Sequence, residues 1–173
     1  MKKDIVMPIV VLVAICLVIS AALAITDSAT RPVIEQGAAE RAELARAEII
    51  PEATGFTKLD SSAMPASIDE AYKTDNGVGY VFTATVTGYG GDMTIMCGID
   101  NDGKIIMCKT LAHSETKGMG SKTADEPFRS QFVGKNSSLD GVSAITGASI
   151  SSKAYIGAIN DIFAAYETAK EAA

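Results

Sequence analysis

The residues best placed to do chemistry lie near the C-terminal end, in the run Ser143-Ala144-Ile145-Thr146-Gly147-Ala148-Ser149, which continues as Ile150-Ser151-Ser152-Lys153. This is a hydroxyl-rich, glycine-containing turn that feeds the start of a helix. The first turn of a helix leaves backbone N–H groups unpaired, and the macrodipole places partial positive charge there. Such an end accepts a phosphate readily. Gly147 allows close backbone approach, Thr146, Ser149, Ser151 and Ser152 offer hydroxyls, and Lys153 adds a cation nearby. The plainer alternative is that these hydroxyls only cap the helix, as Ser and Thr commonly do.

A second segment, Ala112-His113-Ser114-Glu115-Thr116-Lys117-Gly118-Met119-Gly120, reads as a loop with two glycines between a strand and a short helix. Glu115 and Thr116 bring polar groups, and Met119 is an apolar side chain flanked by Gly118 and Gly120. A planar heteroaromatic ligand needs that mixture of close backbone approach, a few polar contacts and apolar surface. By itself the segment is equally an ordinary polar connection. Other chemistry finds little support. His113 is the single histidine, and Cys16, Cys97 and Cys108 lack metal-ligand spacing, so no metal site is expected. No nucleophile–base pair and no nicotinamide-binding fingerprint is present.

Taken together, Glu115-Thr-Lys-Gly-Met-Gly120 and Thr146-Gly-Ala-Ser149 resemble the FMN-binding domain of the G subunit of Rnf ion-translocating complexes. The C subunit of the Na⁺-translocating NADH:quinone reductase carries the same domain. That family has a Glu-Thr-Pro-Gly-Leu-Gly loop and a Ser/Thr-Gly-Ala-Thr motif whose last Thr is esterified to FMN. The resemblance implies FMN joined by a phosphoester bond to Ser149. It also implies cofactor contacts from Thr146, Gly147, Ala148, Ile150, Ser151 and Lys153, and from Glu115, Thr116, Gly118, Met119 and Gly120. Glu115 and Thr116 would hydrogen-bond the flavin ring, and Met119 would pack on it. The implied partners are the other subunits of a membrane electron-transport complex of the ferredoxin:NAD⁺ class, and a flavin transferase for maturation. Lys117 and Met119 replace Pro and Leu of the family loop, Ser149 replaces the acceptor Thr, and Ser143 stands where Asp is frequent, with Asp140 out of register. Serine retains the nucleophilic oxygen that the ester requires.

These motifs need elements to position them. The chain of 173 residues reads as an N-terminal transmembrane helix followed by a small α+β domain with an antiparallel sheet and packed helices. Ile5 to Ile25 is a run of 21 residues without a charge, and a helix of that length spans the roughly 30 Å hydrocarbon core of a bilayer. A cleaved signal peptide, with Ala22-Leu23-Ala24 as its cleavage site, would have a shorter apolar region. Lys2 and Lys3 precede the run, so residues 1–4 are expected in the cytoplasm and the main domain outside the cell membrane. Residues 26–51 are read as a stalk or packing helix, starting at Thr30 and Pro32 and stopped by Pro51, and residues 52–173 as the FMN-binding domain.

Residues 52–78 read as loop-rich, punctuated by Gly55, Pro65 and Gly77, with a short helical turn over Ser67–Lys73. Strands are expected over Gly79–Tyr89, Met93–Ile99 and Lys104–Leu111. Asp102-Gly103 as a two-residue turn pairs residues whose numbers sum to 205, which sets Cys97 opposite Cys108. Such a pair can form a disulfide or lie as two reduced, buried thiols. A short helix over Glu126–Phe132 and an amphipathic helix from Ile150 complete the order.

Beyond Lys2, Lys3 and Asp4 the chain has 13 basic and 20 acidic residues, a net of −7 without a basic stripe, which argues against nucleic acid as partner. Two other functions compete: a stand-alone membrane-anchored flavinylated carrier in extracytoplasmic electron transfer, and a flavin-free membrane-tethered binding module. A secreted hydrolase built on His113 ranks last.

Overall fold

The structure is a computed structural model that describes residues 2–171, with side chains from Val6 onward. It divides into a helical unit, residues 1–41, and a globular unit that begins at Ala42. The first helix, α1 (Lys2–Ile49), is continuous. In the helical unit it is long and apolar enough to cross a membrane. Its side chains Val6, Leu12, Val18 and Leu23 are each more than half exposed, as expected of a surface made for lipid rather than for a protein core. The helix does not restart at Pro32, which lies inside it. Thr30 Oγ1 donates to the Thr26 carbonyl at 3.0 Å instead of capping a new helix. Intact helix before and after Pro32 absorbs the single missing N–H.

The globular unit is built on five antiparallel strands in sequential order: β1 (Phe56–Leu59), β2 (Ile68–Thr74), β3 (Gly79–Thr87), β4 (Asp92–Asp100) and β5 (Ile105–His113). Residues 52–78 thus hold two strands, β1 and β2, among their turns and loops, and Ser67–Lys73 is not a helical turn. Ile68–Thr74 is a strand because it pairs with β3, Ala71 opposite Phe82 and Tyr72 opposite Val81. Non-local pairing supplies what its polar sequence, IDEAYKT, does not supply locally.

Both faces of the sheet are covered. On one lies the C-terminal helix α3 (Ser149–Glu171), whose Tyr155, Ala158, Ile159, Ile162 and Tyr166 pack with Phe82, Ile95, Cys97 and Cys108. On the other lies the end of α1, where Ala45 and Ile49 meet Val81 and Met96. Arg46 sits over the Tyr72 ring, 4.2 Å from its centre, and Glu48 pairs with Lys109. Gly98 is required here, since a Cβ would overlap Ile49. Burial on both faces explains why β3 from Gly79 to Ala84 is buried without interruption instead of alternating.

The β4–β5 hairpin closes differently from the two-residue turn expected. Asp100 N–H donates to the Lys104 carbonyl at 2.9 Å, which leaves a three-residue loop, Asn101-Asp102-Gly103, with Gly103 at φ 75°. This is the common alternative of a type I turn followed by a left-handed glycine. A register shift between Gly98 and Ile99 then restores the pairing, so Cys97 does face Cys108. Both are free, buried thiols. After β5 come a 3₁₀ turn at Gly120–Ala124, the short helix α2 (Glu126–Arg129), a second 3₁₀ turn at Ser130–Phe132, and the connection to α3.

Candidate functional site

Three chain segments converge on one cavity of about 360 Å³, within the size range of small-molecule sites. They are the β3–β4 turn (Tyr89), the loop after β5 (Glu115, Thr116, Met119, Gly120), and the turn into α3 (Gly147, Ala148, Ser149, Ile150, Ser151). Of the residues singled out from sequence, Thr146, Gly118 and Lys153 do not line it. Thr146 is an exposed turn residue, Gly118 turns the loop at φ 79°, and Lys153 is exposed one helical turn beyond Ser149.

The wall at α3 follows from local backbone rules. Ala148 N–H donates to the Ile145 carbonyl at 3.0 Å, with Gly147 at φ 82°. This is a tight turn with glycine at its left-handed position. Ser149 is the first residue of the 23-residue helix, so the N–H groups of the first turn point outward with the positive end of the dipole. Ser149 is exposed, and its hydroxyl has no hydrogen bond among the described residues. Ser152 is fully engaged: its Oγ accepts from Ile145 N–H at 3.0 Å and donates to the Ala148 carbonyl at 2.8 Å. It holds the turn against the helix, so it is not a free hydroxyl for a phosphate.

The loop after β5 is organised around Glu115, which is 8% exposed. Its Oε1 accepts from Tyr89 N–H at 2.9 Å and its Oε2 from Gly90 N–H at 3.2 Å. Charge-assisted bonds of this kind are stronger than neutral ones. Glycines make room for the carboxylate, because a Cβ at Gly88 or Gly120 would overlap it. His113 Nδ1 accepts from Glu115 N–H at 3.3 Å, which occupies that nitrogen in shaping the loop. Beyond Glu115 the chain folds back, with the Met119 and Ser121 N–H groups both donating to the Thr116 carbonyl at 3.2 Å.

The mouth of the cavity is apolar. Tyr89, Met119 and Ile150 are 72%, 53% and 56% exposed, each contributed by a different segment. One edge of the site is thus a run of helix N–H groups beside a free hydroxyl, and the rest is apolar surface. A ligand with an anionic end and a flat aromatic body matches both halves. Tyr89 is the residue that sequence reasoning missed. It reads as the end of a strand, and its neighbours Gly88, Gly90 and Gly91 are the signal that could have marked a functional turn.

The same segments match known proteins. The family model described as "FMN-binding domain" matches residues 88–164, a span that holds every residue lining the cavity. The chain is 32% identical to the G subunit of an ion-translocating oxidoreductase complex of Methanosarcina acetivorans, with 92% of this chain and 93% of the relative covered. It is 29% identical to the G subunit of a Na(+)-translocating ferredoxin:NAD(+) oxidoreductase complex of Acetobacterium woodii, covering 91% and 89%. The G subunit of a proton-translocating ferredoxin:NAD(+) oxidoreductase complex of Clostridium ljungdahlii is 34% identical over 49% of this chain and 51% of its own length.

Proposed function

The chain belongs to the family of G subunits of ion-translocating oxidoreductase complexes, and we propose on that footing that it is the electron-carrying subunit of such a membrane complex, with FMN esterified through its phosphate to Ser149. FMN supplies reversible electron transfer, and the protein supplies position and electrostatics. The observation that carries the reading is the convergence of the Glu115–Gly120 loop and the Gly147–Ser151 turn on one cavity inside the FMN-binding domain.

The residues present fit the group. Ser149 Oγ is exposed beside the unpaired first-turn amides of α3, which favour an anion, and Lys153 lies one turn along the same helix. Tyr89, Met119 and Ile150 offer apolar surface for a flat ring system. In this reading Ser149 provides the ester oxygen, the α3 amides hold the phosphate, and Ser152 keeps the turn in shape. Glu115 holds the β3–β4 turn against the loop, and Thr116 beside it offers a hydroxyl to the ring.

Two relatives are named as subunits of ferredoxin:NAD(+) oxidoreductases, and we extend that class of electron donor and acceptor to this chain. Residues 5–25 cross the cell membrane, residues 26–51 lead to the FMN-binding domain, and that domain lies outside the cytoplasm. A flavin transferase makes the ester, since no side chain among the described residues of the site is arranged to activate Ser149. One helix without intramembrane charge moves no ion, so translocation falls to the other subunits.

Intact-mass measurement of the protein from its native membrane, with peptide mapping across Thr146–Lys153, tests the reading. The expected result is a mass increase of one FMN less one water, localised to Ser149 and lost in Ser149→Ala. An unmodified Ser149 peptide removes the covalent link, and protein without any FMN removes the carrier function.

A further inference from the structure

The β3–β4 turn, Gly88-Tyr89-Gly90-Gly91, sets a large aromatic side chain among three glycines, and the residue is 72% exposed. Among the described residues no neighbouring ring pairs with it. Its backbone, by contrast, is tightly held. Gly88 N–H donates to the Gly91 carbonyl at 2.9 Å, Ser114 N–H donates to the Asp92 carbonyl at 3.0 Å, and the Tyr89 and Gly90 amides are bound by Glu115. A Cβ at Gly90 would lie 2.6 Å from the Ser114 carbonyl oxygen, so the turn and the Glu115 loop are in close contact with no space for a side chain between them. The ring is therefore aimed at the cavity by its main chain and not by packing.

We infer that Tyr89 is the aromatic wall of the flavin site, and that Glu115 is the positioning residue that aims it. The inference rests on the reading that the cavity holds FMN. Aromatic rings gain from offset or edge contact with one another, and a phenol on a fixed backbone gains it without ordering a mobile loop. Across the mouth, Met119 and Ile150 supply the aliphatic contacts, so the ring system would meet an electron-rich phenol from one segment and softer apolar groups from two others. Glu115 then acts through the two amides it binds rather than on the ligand.

A phenol in contact with an excited flavin quenches its emission by electron donation, which gives a readout independent of turnover. The full-length protein is produced in a host that attaches FMN and compared with Tyr89→Leu, Tyr89→Phe and Glu115→Gln. Flavin emission is measured in the native protein and again after denaturation, where it reports only how much FMN is bound to the chain. The native emission of each chain is divided by its denatured emission, so that any difference in FMN loading among the four chains drops out. In the native state Tyr89→Leu and Tyr89→Phe should both emit several-fold more strongly, since neither carries the donating phenol, and Glu115→Gln should fall between them and the parent. Native emission that is unchanged in Tyr89→Leu, with FMN still attached, overturns the wall. Emission unchanged in Glu115→Gln alone overturns its positioning role. A parent chain without FMN in the denatured sample overturns the underlying reading and the inference with it.

Discussion

Ser152 is the residue on which the geometry of the cofactor turn most depends. It is fully buried, accepts from Ile145 N–H and donates to the Ala148 carbonyl. Ser152→Ala removes the acceptor of the part-buried Ile145 amide, and a lost hydrogen bond of this kind costs about 0.5–1.5 kcal/mol. Denaturant unfolding should show that loss, and flavin attachment at Ser149 should fall with it. Gly147 makes the complementary case. Nothing lies within 4 Å of a Cβ built there, yet φ is 82°, so Gly147→Ala is penalised by backbone strain alone, about 1–2 kcal/mol. At this scale the sequence was informative where a residue has a local reason to be what it is. The hydroxyls and glycine before α3 announce a turn and a helix start. The split in their duties was not legible, because Ser151 lines the cavity and Ser152 is consumed by the turn, a difference of one residue that only the helix phase decides. Tyr89 was hidden for a related reason, since an aromatic at a strand end looks like strand until the glycines after it are seen to turn.

The elements obey pairing more than propensity. The amphipathic repeat of α3 and the β4–β5 hairpin were legible, and Cys97 does face Cys108 even though the turn between them has three residues instead of two. Strands β1 and β2 were not, because their polar residues acquire a strand identity only from β3. The contact between α3 and the hairpin predicts a pH dependence. Burial pushes the Cys97 thiol well above its ordinary value of 9.0 and the Tyr155 phenol well above 10.0, with the neighbouring cysteines adding to both shifts. Below those ordinary values both groups are neutral in the folded and unfolded chain and contribute no slope. As pH rises through them, the unfolded chain releases protons that the folded chain keeps, so stability should fall from about pH 9 upward. Tyr155→Phe should flatten that fall above about pH 10. It should leave stability at neutral pH unchanged or slightly higher, because among the described residues no group lies within hydrogen-bonding geometry of the buried Tyr155 hydroxyl. Urea unfolding of both proteins across that range checks the sign.

At the scale of the whole molecule, the apolar run of α1 was the clearest feature of the sequence, being a matter of length and the absence of charge. The continuity of α1 through Pro32 was not, because proline marks a helix start and a tolerated interior position with the same residue. The basic residues before the run, with no cation after it until Arg31, predict the topology. Protease added outside intact cells should cut the chain beyond residue 25, and inside-out vesicles should protect it; the reverse pattern would place the domain in the cytoplasm. The site itself is a property of the assembled unit, since its three walls are separated along the chain from Tyr89 to Ser151 and meet only when β3, β5 and α3 are packed. In the proposed reading, an unfolded chain has the acceptor Ser149 but nothing around it that matches a flavin. On that reading loading comes after folding, and a flavin found on this subunit would be a receipt that the domain was complete when the cofactor arrived.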